Sequence, residues 1–257
     1  MRIKFLLIIF IFAVSNNLPQ QISSPDSKLT LTIKLSENNE LVYNLFREGK
    51  TVVKDSKLGI DLLNQPDLVA DFKIDAVVTS NFLEEWSPVW GEVDKIVNNY
   101  NQMQVTLIQP KEKRTIIVTF RLFNDGLGFR FEFPVQDNLK YFTVLEENTQ
   151  FALAGDHKTF WIPGDYDSQE YTYTTSLLSE INSSRGKNAD EIGVKSIPGN
   201  NIIQTPLMMK SNDGLYINIH EAALLDYPAM HLMVDRKTFE LRTQLCPDAY
   251  DNKAYMQ

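Results

Sequence analysis

Beyond its first twenty residues the chain alternates apolar and polar positions with a period of two. Leu29, Leu31, Ile33 and Leu35 share one face, with Thr30, Thr32 and Lys34 opposite, as in a half-buried strand. Asn38-Asn39 supplies a turn, and Leu41, Tyr43 and Leu45 continue on a partner strand. Glu48-Gly49 turns again before Thr51, Val52 and Val53. The clearest hairpin is VTFRLF-NDGLG-FRFEF over residues 118–133. Val118, Phe120 and Leu122 point one way, Asp125-Gly126 is expected to give a positive-φ turn, and Phe129, Phe131 and Phe133 answer them. Arg121, Arg130 and Glu132 lie on the polar face. Further turns fall at 212–214 and 235–237. Turn signals this frequent, with no linker, repeat or low-complexity tract, predict one large antiparallel β domain. One stretch competes: Val93, Ile96, Val97 and Tyr100 have helical spacing, so 92–101 could form a short helix. Asn98, Asn99 and Asn101 oppose that reading.

The first twenty residues differ. Arg2 and Lys4 precede an unbroken apolar run over residues 5–14, which Ser15, Asn16 and Asn17 end. Ten residues are too few to span about 30 Å of hydrocarbon as a helix. The pattern predicts a secretory signal over 1–20, cleaved between residues 15 and 21. The remaining domain is then 21–257. A secreted chain with a single cysteine, Cys246, suits a bacterial periplasm better than a disulfide scaffold.

Composition narrows the function. The 257 residues carry 25 Lys plus Arg against 33 Asp plus Glu, a net charge of -8. That surplus of acid argues against a nucleic-acid partner, and one cysteine excludes a multi-cysteine zinc site. The length is too short for a sugar-cleaving barrel (about 250 residues by itself) beside another domain. No nucleophile elbow, phosphate-binding loop, zinc-protease helix or dinucleotide fingerprint is present. His157, His220 and His231 share no metal-ligand spacing and read as ordinary hydrogen-bonded residues.

Candidate chemistry concentrates in FWIPGDYDSQEYTYT, residues 160–174. Trp161 could be an aromatic platform for a sugar, and Pro163-Gly164 forces a bend. Asp165, Asp167 and Glu170 then place three carboxylates within six residues. Such a loop suits a hard cation such as calcium, and paired carboxylates beside an aromatic ring also fit sugar-cleaving sites. On the residues alone, a solvated acidic turn with Trp161 in the core is the favoured reading. Trp161, Asp167 and Gln169 are the candidate sugar contacts. The polar stretch 182–201 reads as one long loop.

Four segments together carry a resemblance: GDYDSQEYTYT, WSPVWGE (86–92), RLFNDGLGFRFEFP (121–134) and DGLYINIHEAALLDY (213–227). In combination they closely resemble the N-terminal domain of glycoside hydrolase family 97, which includes periplasmic α-glucosidases of bacterial starch utilisation. The resemblance runs from about residue 22 to the last. It implies a mostly β, antiparallel β-supersandwich of the galactose-mutarotase type, followed in relatives by a catalytic (β/α)8 barrel. It implies action on α-linked oligosaccharides, glucosides or galactosides, with calcium at the active site. One calcium ligand from the N-terminal domain would be Glu170, matched by Asp167-Ser168-Gln169-Glu170. The family's catalytic acid and base lie in the barrel, and no position here corresponds to them. The ending at 253–257 is expected to fall before the closing strands and the barrel, and without the barrel the chain is expected to be inactive alone. A free-standing carbohydrate-binding protein is the alternative. Aldose epimerisation, by analogy of fold, would have only His157 and His220 to draw on.

Overall fold

The computed structural model describes residues 19–184, 197–225 and 227–247, and the backbone of the strand residues 10–11 and 254–255. The chain divides into two compact units, one comprising 1–52 and 70–140, the other 53–69 and 141–257. Strand Lys50–Leu58 runs from the first into the second, so no linker marks the division.

The first unit holds two antiparallel sheets. One orders Gln20–Ser23, Leu29–Leu35, Leu41–Arg47 and Lys50–Leu58 as a meander. Asn39, Glu48 and Gly49 take positive φ at its turns, where the sequence placed them. The other joins Lys73–Trp86, Ile96–Gln109, Arg114–Leu122 and Leu127–Glu132. The backbone of Phe10–Ile11 pairs with Val78 and Thr79. The rest of the apolar run, and with it the expected signal segment up to residue 18, lies outside the described residues. Leu31, Ile33, Val105, Val118, Phe120 and Leu122 are all fully buried, so the period-two pattern maps onto inward faces.

Two local expectations need correction. The 118–133 hairpin forms with Phe120 opposite Phe129 and Leu122 opposite Leu127. Gly126, however, is absent from the positive-φ positions. A four-residue connection closed by Phe123 N–H donating to the Gly126 carbonyl, at 2.8 Å, does not require that conformation. No helix forms over 92–101 either. Residues 96–101 begin the strand Ile96–Gln109, with Tyr100 opposite Phe82 and Val97 opposite Glu85. Cross-strand pairing overrides the helical spacing, as it readily does in an Asn-rich stretch.

The second unit contains three antiparallel sheets. Thr143–Glu147 pairs with Ile60–Leu62 and with the backbone of Ala254–Tyr255. Gln150–Ala152, Glu240–Leu245, Met230–Asp235 and Ile202–Gln204 form the next sheet in that order. Thr174–Leu177, Lys158–Trp161, Leu207–Lys210 and Tyr216–Ile219 form the third. Turns at 212–214, with Gly214 at positive φ, and at 235–237 sit where the sequence predicted them. The antiparallel all-β class is therefore observed throughout the described residues.

Candidate functional site

The acidic segment leaves strand Lys158–Trp161 in the second unit. Its next residues run against Ile202–Gln204: Ile162 accepts from Gln204 N–H at 3.2 Å, and Gly164 N–H donates to the Ile202 carbonyl at 2.9 Å. A Cβ on Gly164 would lie 2.8 Å from Ile202 Cγ2 and 3.2 Å from the Ile202 oxygen. Glycine is thus required for this close approach.

Asp165 then organises the turn. Its Oδ1 accepts the main-chain N–H groups of Asp167 (2.8 Å) and Ser168 (2.9 Å), and its Oδ2 accepts the Tyr171 hydroxyl (2.7 Å). Its main-chain oxygen accepts His231 Nε2 at 2.8 Å. Gln204, fully within the core, donates to the carbonyls of Pro163 (2.9 Å) and Ser168 (2.8 Å). Gln169 reaches the Thr205 carbonyl at 3.3 Å. The turn is over-determined from three directions, a pre-organised support for whatever it presents.

The three carboxylates of the segment part company here. Asp165 is buried and internally bonded, whereas Asp167 and Glu170 are exposed. Among the described residues, the Asp167 and Glu170 carboxylates have no hydrogen bond or ion pair. Trp161, expected as an aromatic platform, is only 2% exposed, and its indole N–H donates to the Ser176 hydroxyl at 3.0 Å. It belongs to the core, because the strand that carries it is covered on that face.

A recess of about 310 Å³ opens beside the turn. Asp167, Gln169, Thr205, His220, Glu221 and His231 are among the groups around it. Thr205 Oγ1 lies 2.8 Å from Glu221 Oε2, and the other Glu221 oxygen accepts Met230 N–H. Tyr166 meets the His231 ring edge-on at 5.4 Å and accepts from Gln244 at 2.9 Å. Burial lowers the His231 pKa against the pull of the Asp165 carbonyl and nearby acids. His157, also lowered chiefly by burial, is not among the residues around the recess that His220 borders, so the two do not form an acid–base pair there.

Gln204, Thr205 and His231 carry no motif, whereas Glu221 lies within the 213–227 segment. Neighbours on a strand point to opposite faces, but strand Tyr216–Ile219 ends just before His220 and Glu221, and both border the recess. The loop 182–201 is pinned at its described ends by Ser183 N–H to the Asn200 carbonyl, 2.9 Å. Residues 185–196 of this loop lie outside the described residues. Among the described residues, no group of three or more His, Cys, Asp or Glu side chains converges on a metal position.

The family model described as glycosyl-hydrolase 97 N-terminal matches residues 22–255. A retaining alpha-galactosidase of Bacteroides thetaiotaomicron is 25% identical over 260 residues, covering 96% of this chain and 35% of its own length. Among solved structures, a family 97 enzyme of Pseudoalteromonas sp. strain K8 in complex with acarbose is 29% identical with a TM-score of 0.76. That match covers 88% of this chain and 32% of the enzyme. The same enzyme's E480Q form with panose gives 30% and 0.75. A beta-arabinopyranosidase at 19% identity and TM-score 0.74 shares the fold. The chain thus spans about a third of the length of the relatives it matches.

Proposed function

Since the chain belongs to glycoside hydrolase family 97, matched over that family's N-terminal domain, we propose that it serves as the accessory domain of a calcium-dependent α-glycosidase. In this reading Glu170 is its one ligand to an active-site calcium, and the chain has no turnover of its own. The observation that carries the reading is the turn itself: a buried Asp165 fixes the backbone that presents an exposed, uncommitted Glu170.

The donor chemistry fits. Calcium takes six to eight oxygen ligands, and Glu170 offers a hard carboxylate. The remaining ligands would come from the barrel that completes such enzymes. When bound, calcium would supply positive charge that orients the sugar. This chain's own part is to hold the Glu170 carboxylate in place and to offer Asp167 and Gln169 to sugar hydroxyls. The ligands of the strain K8 enzyme, acarbose and panose, and the activity of the B. thetaiotaomicron relative support an α-linked glucoside or galactoside as substrate. Export to the periplasm is supported by the Arg2 and Lys4 charges before the apolar run.

The test supplies the chain with the catalytic portion of the strain K8 enzyme and measures hydrolysis of nitrophenyl α-glucoside and α-galactoside. The chain alone is expected to be inactive with or without calcium. The mixture gains a calcium-dependent rate that Glu170→Gln lowers at least about tenfold. Calcium-dependent turnover by the pure chain, or a rate indifferent to Glu170→Gln, overturns the proposal. The recess favours a second reading, a free-standing sugar-binding protein, since its volume reaches the range of small-ligand sites. Calorimetric binding of maltotriose by the chain alone, weakened by Gln169→Ala, would decide for it.

A further inference from the structure

The end of the hairpin formed by Lys73–Trp86 and Ile96–Gln109 concentrates exposed apolar side chains. Residues 81–87 and 89–95 are all exposed, although this stretch holds Phe82, Leu83, Trp86, Val89, Trp90 and Val93. Trp90 is 89% exposed and Trp86 44%. At the 150–250 Å² typical of aromatic side chains, the two indoles alone present roughly 300 Å². That already reaches the size of the largest apolar patch on an ordinary monomer. With Phe82 and the aliphatic residues, the tip approaches the roughly 800 Å² that each partner gives to a stable interface.

The backbone explains why this surface is held ready. Register is continuous from Ala76 opposite Thr106 to Trp86 opposite Ile96, and Phe82 stacks on Tyr100 at 5.1 Å. Lys95 forms an ion pair with Glu85 across the hairpin. The tip is therefore an ordered ribbon with apolar groups and no cover among the described residues.

We propose that this ribbon docks onto the part of a family 97 enzyme that lies outside the matched N-terminal third. The inference rests on the accessory-domain reading above and adds the contact through which the two parts hold together. Two observations select that occupant. The relatives are about three times as long as the matched region, so a protein surface large enough to cover the tip belongs to the same enzymes. Charge disfavours a second copy: residues 81–99 carry Glu84, Glu85, Glu92 and Asp94 against Lys95. Tip-to-tip association would bring these acids together. The complementary surface is an apolar pocket for Trp90 with a basic rim.

The experiment measures binding of this chain to the catalytic portion of the strain K8 enzyme by calorimetry. Trp90→Asp is expected to weaken the complex at least about tenfold, and raising salt to weaken it further. Val135→Asp, at an equally exposed position of the same unit, should leave it unchanged. A complex indifferent to Trp90→Asp overturns the docking proposal and spares the accessory-domain reading. No complex at all overturns both. A concentration-dependent dimer of the chain alone, abolished by Trp90→Asp, would make a second copy the occupant and overturn the proposal. So would maltoheptaose binding that is lost in Trp90→Ala. If the catalytic portion does not fold by itself, a chimera carrying this chain in place of the matched third gives the same decision by hydrogen exchange. Amides of residues 86–96 should then exchange more slowly than in the chain alone, and equal rates overturn the proposal.

Discussion

Replacing Asp165 separates the turn that presents Glu170 from the carboxylate it presents. Asp165→Ala removes acceptors for the Asp167 and Ser168 amides and for the Tyr171 hydroxyl. Hydrogen bonds to a charged acceptor contribute about 1.5–3 kcal/mol each. Asp167 is exposed and Ser168 half-buried, so water replaces part of what is lost, and neighbouring bonds do not add. The expected destabilisation is about 2–4 kcal/mol. Asp165→Asn keeps a carbonyl oxygen for both amides and should cost only about 1 kcal/mol, the loss of charge assistance. The His231 bond goes to the main-chain oxygen and survives both changes. Urea unfolding followed by fluorescence measures this in a Trp86→Phe, Trp90→Phe background, where emission reports the buried Trp161 of the same unit. In the reconstituted enzyme, Asp165→Ala should also lower the calcium-dependent rate although Glu170 is intact. An alanine variant within about 0.5 kcal/mol of the parent, or an asparagine variant as unstable as alanine, would refute the reasoning.

Other outcomes follow from the same unit. Burial, with the charges of Glu147 and Asp61, pushes the Glu146 carboxyl up to about 7 against the opposing main-chain N–H groups of Leu245 and Glu147. The folded state therefore holds a proton that the unfolded chain releases near pH 4.5, and stability falls as pH rises from there to about 7. Partial exposure of Glu146 reduces this to about 1–2 kcal/mol, and Glu146→Gln should flatten the slope in urea titrations at pH 5 and 8; an unchanged slope counts against it. Gly164→Ala forces a Cβ to 2.8 Å from Ile202 Cγ2 and should cost about 1–3 kcal/mol, lowering Tm. A variant with the parent's Tm would mean that Ile202 yields freely.

Much of the fold was legible because strand pairing writes itself into sequence. The burial of Leu29, Leu31 and Ile33, and of Val118, Phe120 and Leu122, follows their period-two spacing. Asn39 and Glu48-Gly49 adopt the positive φ that their turns need. The 92–101 stretch misled because four apolar residues at helical spacing can equally alternate across a hairpin, and only a partner strand decides which. Of the site, the local segment was legible and its division of labour was not. Asp165, Asp167 and Glu170 are chemically alike in sequence.

What the sequence by itself determined is the alternation, the turns, the acid surplus and the run of motifs that place the chain in its family. These are properties of neighbours a few residues apart. Tertiary structure alone decided that Asp165 is a buried organiser while Glu170 faces outward, and that Trp161 is core. It also brought Gln204, Thr205 and His231 to the segment from 36 to 66 residues away in the chain, and Glu221 to the recess beside it. Burial and hydrogen bonding are set by what packs against a residue, and for this turn Gln204 and His231 come from distant strands. The exposed tip of the first unit follows the same rule: Trp86 and Trp90 look like core residues in sequence, yet among the described residues no strand covers them.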